Sequence, residues 1–284
     1  MTLRAYAKIN LGLHVVGKRP DGYHNIETVF HQIDLFDEIE IVQSDEGPQF
    51  VSDVPGLPSD SSNLCIRAMN VLRDLTGCHS GVEITLRKRI PIGAGLGGGS
   101  TDAAAVLRGL VKLWNSDITD DELKTMSATL GSDVPYFLIG GTAYATGRGE
   151  VLEPCDLSVP YWILVVTPPL HVSTSWAYAK LSLAEGTRRL HIPTLLRASL
   201  KNPAKLREGL RNEFEPVVFD AYPEVRRIKQ TLLDRGAALA LMSGTGSSVF
   251  GFFEDEVAVR TLSDEFSLSC HVSVTKPLFN PEPN

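Results

Sequence analysis

The sequence predicts an α+β protein organised as two parts, residues 1–154 and 155–284, and three observations predict it. A glycine-rich run, from Pro91 to Thr101, lies between a strand pattern and a helix pattern. The chain ahead of it is dominated by alternating stretches that read as strands. A proline-punctuated segment, Pro154 to Pro160, is followed by a second series of strand and helix patterns with its own glycine-rich turn.

Composition bounds the function. A chain of 284 residues holds one large domain or two ordinary ones, and 43% hydrophobic against 21% charged residues is enough apolar material for a buried core. The formal net charge is −7 and no basic cluster interrupts it, which argues against nucleic acid or an anionic membrane as partner while leaving a nucleotide substrate open. No apolar run has the length of a membrane span, and the stretch from Met1 to Lys8 lacks a signal-peptide core, so a cytoplasmic protein is expected. Cys65, Cys78, Cys155 and Cys270 have neither C-x-x-C nor zinc-site spacing, as for idle thiols in a reducing compartment. The residues suit a monomer or a homodimer alike.

The first strand is expected from Ala5 to Val16. Side chains two apart share a face, so Lys8 and Asn10 lie together opposite Ile9, Leu11 and Leu13. Pro20-Asp21-Gly22 is turn chemistry and sets Tyr23 and His24 at the head of a second strand, Asn25 to Ile33. A tyrosine and a histidine there suit a base-binding site, but from position alone an ordinary hairpin with one half-buried ring is the better reading. Asp37 to Val42 and Gly47 to Val51 read as further strands of an antiparallel meander. Asn63 to Thr76 reads as an amphipathic helix closed by Gly77.

Val82 to Leu86 alternates as a strand and leads into Gly93, Ala94, Gly95, Leu96, Gly97, Gly98 and Gly99. Glycine loses the most freedom on folding, so such a run signals positive φ or a close approach. Ser100 or Thr101 is expected to cap a helix that runs to about Trp114. Strand, glycine loop and helix N-terminus together form an anion site, for which phosphate is the natural guest. No lysine follows the glycines, so this is not a P-loop. Gly93 to Gly98 fits G-x-G-x-x-G, but the dinucleotide fold requires a strand after the helix, and a second helix beginning at Thr119 follows instead.

Thr119-Asp120-Asp121-Glu122 is a capping box for a helix ending near Leu130. In Ser132-Asp133-Val134-Pro135 the aspartate is either another cap or a carboxylate held near the phosphates. Gly140 to Gly149 reads as a strand ending in a glycine turn. Beyond the boundary, Tyr161 to Thr167 is an apolar strand, and Pro168 to Leu183 passes from loop to helix, with Trp176 and Tyr178 available to a ligand or to the core. Thr187 to Asn212 reads as helical, Pro223 to Arg235 as helix and Leu239 to Leu241 as strand. Met242 to Gly251 is a glycine-rich turn opening a strand. A helix from Asp255 to Phe266 and a strand from His271 to Thr275 complete a βαβ-like half.

The loop Pro91-Ile92-Gly93-Ala94-Gly95-Leu96-Gly97-Gly98-Gly99-Ser100 is similar at every position to the P-x-x-x-G-L-G-[GS]-[GS] loop of the GHMP kinases. With Lys8-Ile9-Asn10 before it and Ser243-Gly244-Thr245-Gly246 after it, three elements of that family occur in the family's order. The resemblance implies the two-domain GHMP-kinase fold, with a ribosomal-protein-like N-terminal domain (1–154), a ferredoxin-like C-terminal domain (155–284) and phosphoryl transfer from ATP with Mg²⁺. Arg19 to His24 and Gly131 to Pro135 resemble the members whose acceptor is a small cytidine diphosphate-linked polyol of isoprenoid precursor synthesis. A mevalonate- or homoserine-type kinase, or a non-catalytic sensor of the same fold, are the alternatives.

Carried over by that resemblance, Lys8 and Asp133 flank the acceptor hydroxyl and Asn10 binds the polyol. Tyr23, His24 and Phe30 build the base pocket, closed by Tyr178 rather than Trp176. The loop from Pro91 to Thr101 cradles ATP with help from Asn63 and Lys88, and Ser100 is the magnesium ligand. Family members often carry serine where Thr101 stands, and the hydroxyl is retained.

Overall fold

The computed structural model describes residues 1–182 and 190–281. The end of the stretch expected to finish at Leu183 and the start of the one expected at Thr187 fall outside the described residues.

The first part runs β1 (Thr2–Lys18), β2 (His24–Gln43), β3 (Gln49–Ser52), α1 (Leu64–Thr76), β4 (Val82–Arg87), α2 (Gly98–Leu113), α3 (Asp120–Leu130), α4 (Val134–Ile139), β5 (Thr142–Thr146) and β6 (Val151–Pro154). β2 is the spine of this sheet. β1 lies antiparallel along one flank, while β4 and β5 share the other, β4 against Glu38–Gln43 and β5 against Thr28–His31. β3 and β6 form the outer strands.

Two expectations are corrected here. The strands foreseen at 25–33 and 37–42 are one continuous strand, bridged at Asp34, whose N–H donates to Thr275 Oγ1 at 2.8 Å in the second part. β3 pairs with β4 in parallel, because α1 intervenes and makes the connection a crossover rather than a hairpin.

The second part runs β7 (Trp162–Thr167), α5 (Thr174–Lys180), α6 (Ile192–Ser199), α7 (Pro203–Gly209), α8 (Glu215–Ala221), α9 (Pro223–Asp234), β8 (Leu239–Met242), β9 (Val249–Phe253), α10 (Glu256–Ser267) and β10 (His271–Thr275). Its antiparallel sheet has the order β10-β7-β9-β8, the ferredoxin-like β-α-β-β-α-β arrangement. The single helical stretch expected before Asn212 is two helices, parted where Pro203 starts a new first turn. α8 is an additional helix that starts at Glu215, with Pro216 in its first turn.

One apolar cluster lies between the first sheet and α1 and α2. A second joins Ile9, Leu11, Val29 and Ile33 to Val159, Ile163, Phe250 and Phe252 and fuses the two sheets. β1 is therefore buried on both faces, which removes Lys8 and Asn10 from solvent.

Candidate active site

α2 begins earlier than its sequence suggests. Gly97, at φ 74°, is the residue before the first turn, so neither Ser100 nor Thr101 is a cap. Thr101 N–H makes the first helical bond, to Gly97 O at 2.9 Å, leaving the N–H groups of Gly98, Gly99 and Ser100 without partners in the helix. Three free donors and the positive dipole end thus face the cavity with no acidic residue among Gly98, Gly99 and Ser100. Thr101 itself turns into the core, and its hydroxyl does not reach the cavity.

The glycines answer to packing by the protein as much as to a ligand. Gly95 has φ 79°, and a Cβ there would overlap Ser243 O from the second part. At Gly97 a Cβ would stand 2.6 Å from the Phe137 ring.

Lys8 is buried beside this loop. Its N–H donates to Leu96 O at 3.0 Å, and its ammonium donates to Asn10 Oδ1 at 2.7 Å and Gly95 O at 3.1 Å. Asn10 Nδ2 in turn donates to Thr28 Oγ1 at 2.9 Å. Asp133 Oδ2 stands 3.7 Å from the Lys8 ammonium. Asp133 holds the N-cap position of α4 without making a cap hydrogen bond, so its carboxylate is left to the cavity. Burial lowers the Lys8 pKa, and the Asp133 charge opposes that shift.

Phe30, expected in the base pocket, lines the same cavity. Its ring is buried under Lys8, 5.1 Å from Nζ, and packs on Tyr136. The aromatic pair facing the cavity is His24 and Tyr178, stacked at 5.0 Å, with the edge of Phe214 against Tyr178 at 4.8 Å. Burial lowers the His24 pKa, with Lys18 as a smaller cause, so the imidazole is neutral and able to accept. The Tyr178 hydroxyl is pushed up to about 12 by burial, with the Asp133 charge second, and remains a donor. Trp176 turns to Tyr222 and the core of the second part. Tyr23 is 54% exposed at the rim, with the Arg148 guanidinium 3.9 Å above its ring.

Two assigned helpers are committed elsewhere. Asn63 caps α1 through Cys65 N–H at 2.9 Å and donates to Pro58 O at 2.8 Å, so its amide shapes the wall. The Lys88 ammonium is gripped by Asp37 and by Asp102, the latter at 2.7 Å. Burial alone would lower the Lys88 pKa, but the two carboxylates outweigh it and raise it.

One cavity of about 1360 Å³ takes in all the expected site residues except Thr101. Lys8, Asn10 and Asp133 share its wall with the α2 N-terminus and with His24, Tyr178 and Arg148. Sequence reasoning missed Arg148, Asp102 and Phe214. Only Arg148 had a local signal, as a cation between two glycines next to a strand end.

A fold of this topology, with an uncapped helix N-terminus and a buried lysine beside a carboxylate in one cavity, is that of a small-molecule kinase, and the comparisons agree. The model for the N-terminal domain of GHMP kinases matches residues 63–141, and that for their C-terminal domain matches residues 193–271. The chain belongs to the GHMP kinases, which are ATP-dependent phosphotransferases. It is similar to the 4-diphosphocytidyl-2-C-methyl-D-erythritol kinase of Chlorobium limicola, 46% identical over 99% of this chain and 98% of that one. The enzyme of the same name from Chlorobium phaeobacteroides is 44% identical over 98% of both chains. A crystal structure of 4-(cytidine 5'-diphospho)-2C-methyl-D-erythritol kinase superposes with TM-score 0.84 at 34% identity, over 97% of this chain and 98% of that one. Mevalonate kinase of Methanococcus jannaschii, at 14% identity, shares the fold with TM-score 0.73 over 99% of this chain and 98% of that one.

Proposed function

We infer that this protein transfers the γ-phosphoryl group of ATP to the 2-hydroxyl of 4-diphosphocytidyl-2-C-methyl-D-erythritol, a cytoplasmic step of non-mevalonate isoprenoid precursor synthesis. The observation that carries this reading is that one cavity is lined by a helix N-terminus for phosphate, by the Lys8–Asp133 pair and by a His24–Tyr178 stack suited to a base. Mevalonate and homoserine have no base for that stack to hold. Residues 1–154 would supply the phosphate loop and the Lys8–Asp133 pair, and residues 155–284 would close the base site through Tyr178.

Phosphoryl transfer asks for positioning and charge stabilisation more than covalent chemistry. The free N–H groups of Gly98, Gly99 and Ser100 would hold the transferring phosphates. The Asp133 carboxylate, 3.7 Å from the Lys8 ammonium, orients the acceptor hydroxyl. As the new O–P bond forms and the bond from Pγ to its bridging oxygen breaks, the hydroxyl proton passes to Asp133 and ADP leaves. In a loose transition state that proton moves late, so a weak base suffices. The Lys8 ammonium balances the charge that spreads over the phosphoryl oxygens.

Among the described residues no group of three His, Cys, Asp or Glu side chains is set to cage a metal ion. Mg²⁺ fits this donor set, because it keeps several waters and takes ligands from substrate phosphates. The Ser100 hydroxyl, in the first turn of α2 on the cavity wall, would hold it. When bound, the ion neutralises charge on the phosphates.

ADP release from Mg-ATP tests the reading, with the cytidylated polyol, mevalonate and homoserine compared as acceptors. Turnover with the cytidylated polyol alone is expected. Turnover with another acceptor would keep the fold and discard the base site. ATP binding without turnover on any acceptor would make the protein a nucleotide sensor.

A further inference from the structure

One buried hydroxyl beside the reaction centre takes no part in the chemistry above. Ser243 follows β8 in the turn to β9, fully buried and outside the cavity lining. Its Oγ donates to Gly95 O at 2.9 Å and lies 3.4 Å from Asn10 Oδ1. The Lys8 ammonium uses these same two oxygens, at 3.1 and 2.7 Å. Hydroxyl and ammonium therefore converge on one pair of acceptors from opposite parts of the chain. A serine has a single proton to give, and the shorter distance assigns it to Gly95.

The turn that carries Ser243 is itself clamped. Asn212 Nδ2 donates to Met242 O at 2.8 Å and to Gly244 O at 2.7 Å, the carbonyls on either side of Ser243. Asn212 Oδ1 accepts from Phe214 N–H at 2.9 Å, so the whole buried amide is satisfied. Ser248 N–H reaches Ala94 O at 3.1 Å, a second tie from the same turn to the loop.

We propose that Ser243 is a positioning residue for phosphoryl transfer: its hydroxyl, held in place by Asn212, fixes the Gly95 carbonyl and so the Lys8 ammonium relative to Asp133. This rests on the roles inferred above for Lys8 and Asp133. Without the Ser243 proton, Gly95 O keeps only the Lys8 donor and is free to turn. The ammonium then shifts toward Asp133, its anionic neighbour, and blunts the carboxylate that the acceptor needs. Misplacement by about 1 Å costs on the order of 10²-fold in rate, whereas the Gly98, Gly99 and Ser100 N–H groups and the His24–Tyr178 stack, which hold the substrates, are left as they were.

Ser243→Ala in the full-length chain, assayed with Mg-ATP and the cytidylated polyol, separates the alternatives. The expected result is a kcat roughly 10- to 100-fold lower with both KM values within about threefold of the parent. Ser243→Cys, which keeps a weak donor, recovers part of that loss. An unchanged kcat, or a raised KM for ATP with kcat retained, overturns the proposal. Asn212→Ser releases the turn while leaving Ser243 in the chain, and a similar loss confined to kcat is expected. Should Ser243→Ala fail to fold, parental kcat in Asn212→Ser overturns the proposal. The unaltered protein is run alongside: no turnover there refutes the assigned reaction, whereas turnover with an unaffected Ser243→Ala refutes the positioning role alone.

Discussion

Asp133 stands at the head of α4 and caps nothing, and this idle cap is what leaves a carboxylate for the acceptor. Asp133→Asn is expected to retain ATP affinity, read by calorimetry, and to lose roughly 10²–10⁴-fold in kcat. Near-parental kcat would remove Asp133 from the mechanism. The base site is tested at Tyr178. Tyr178→Ala should raise KM for the cytidylated polyol by an amount worth roughly 1–3 kcal/mol, by analogy with base stacking elsewhere, and leave KM for ATP unchanged. Tyr23→Ala should cost less, because that ring is at the rim under Arg148. Equal effects would place the base at Tyr23 after all. Position alone read Tyr23 and His24 as hairpin residues and only the family resemblance singled them out, because the ring that stacks on His24 is Tyr178, 154 residues further on in the chain. The grip of Asp37 and Asp102 on Lys88 was not legible at all, since it joins positions 51 and 14 residues apart. His31 gives a signed pH effect. It is fully buried with Nδ1 2.7 Å from Thr142 Oγ1, and burial pushes it down to about 4. Unfolded, it takes a proton near 6.5, so its contribution is complete above that pH and is lost as pH falls toward 4. The size is about 3 kcal/mol. Urea midpoints at pH 7.5 and 4.5 should differ less in His31→Gln than in the parent.

At the scale of elements, local chemistry was enough wherever an element is closed by its own residues. α1 starts after Asn63 and stops at Gly77 as read, because the cap and the stop lie in the sequence itself. α3 keeps its Thr119–Glu122 capping box for the same reason. The misreadings occur where a distant element decides. The continuity of β2 through Asp34 is set by Thr275, and the start of α2 is set by packing against Gly97 that no hydroxyl pattern announces. The glycine loop separates conformational need from crowding. Gly22 and Gly95 both have positive φ, 85° and 79°, but nothing lies within 4 Å of a Cβ on Gly22, while Gly95 abuts Ser243. Gly22→Ala is therefore expected to cost about 1–2 kcal/mol, the left-handed strain alone. Gly95→Ala must also displace the β8–β9 turn, and its cost should exceed that of Gly22→Ala by at least about 1–2 kcal/mol, with turnover lost. Equal losses in thermal or denaturant stability would mean that the β8–β9 turn gives way freely and is no buttress.

Over the whole molecule, the two parts are not independent lobes resting on each other. Ile9, Leu11, Val29 and Ile33 of the first sheet share one apolar cluster with Val159, Ile163, Phe250 and Phe252, so each sheet is the other's core. The sequence displayed two runs of elements around a proline-rich segment and invited division there, but it did not display which faces would meet, because β1 alternates as though one side were wet. Burial of large aliphatic and aromatic side chains is worth roughly 1.5–3 kcal/mol each, and several on either side depend on the partner sheet. The polar ties follow the same border: Gly95 O loses Ser243 and Ala94 O loses Ser248 if residues 155–284 are removed. A fragment of residues 1–154 is accordingly expected to expose a wide apolar face, to aggregate or melt without cooperativity, and to lose ATP binding even though it retains every residue from Pro91 to Thr101. The intact chain is expected to unfold in a single denaturant transition, with fluorescence of Trp114 and of Trp162 and Trp176 changing together in single-tryptophan variants. A soluble 1–154 fragment that melts cooperatively and binds ATP would show instead that the phosphate loop supports itself, and would confine the second part to holding the base.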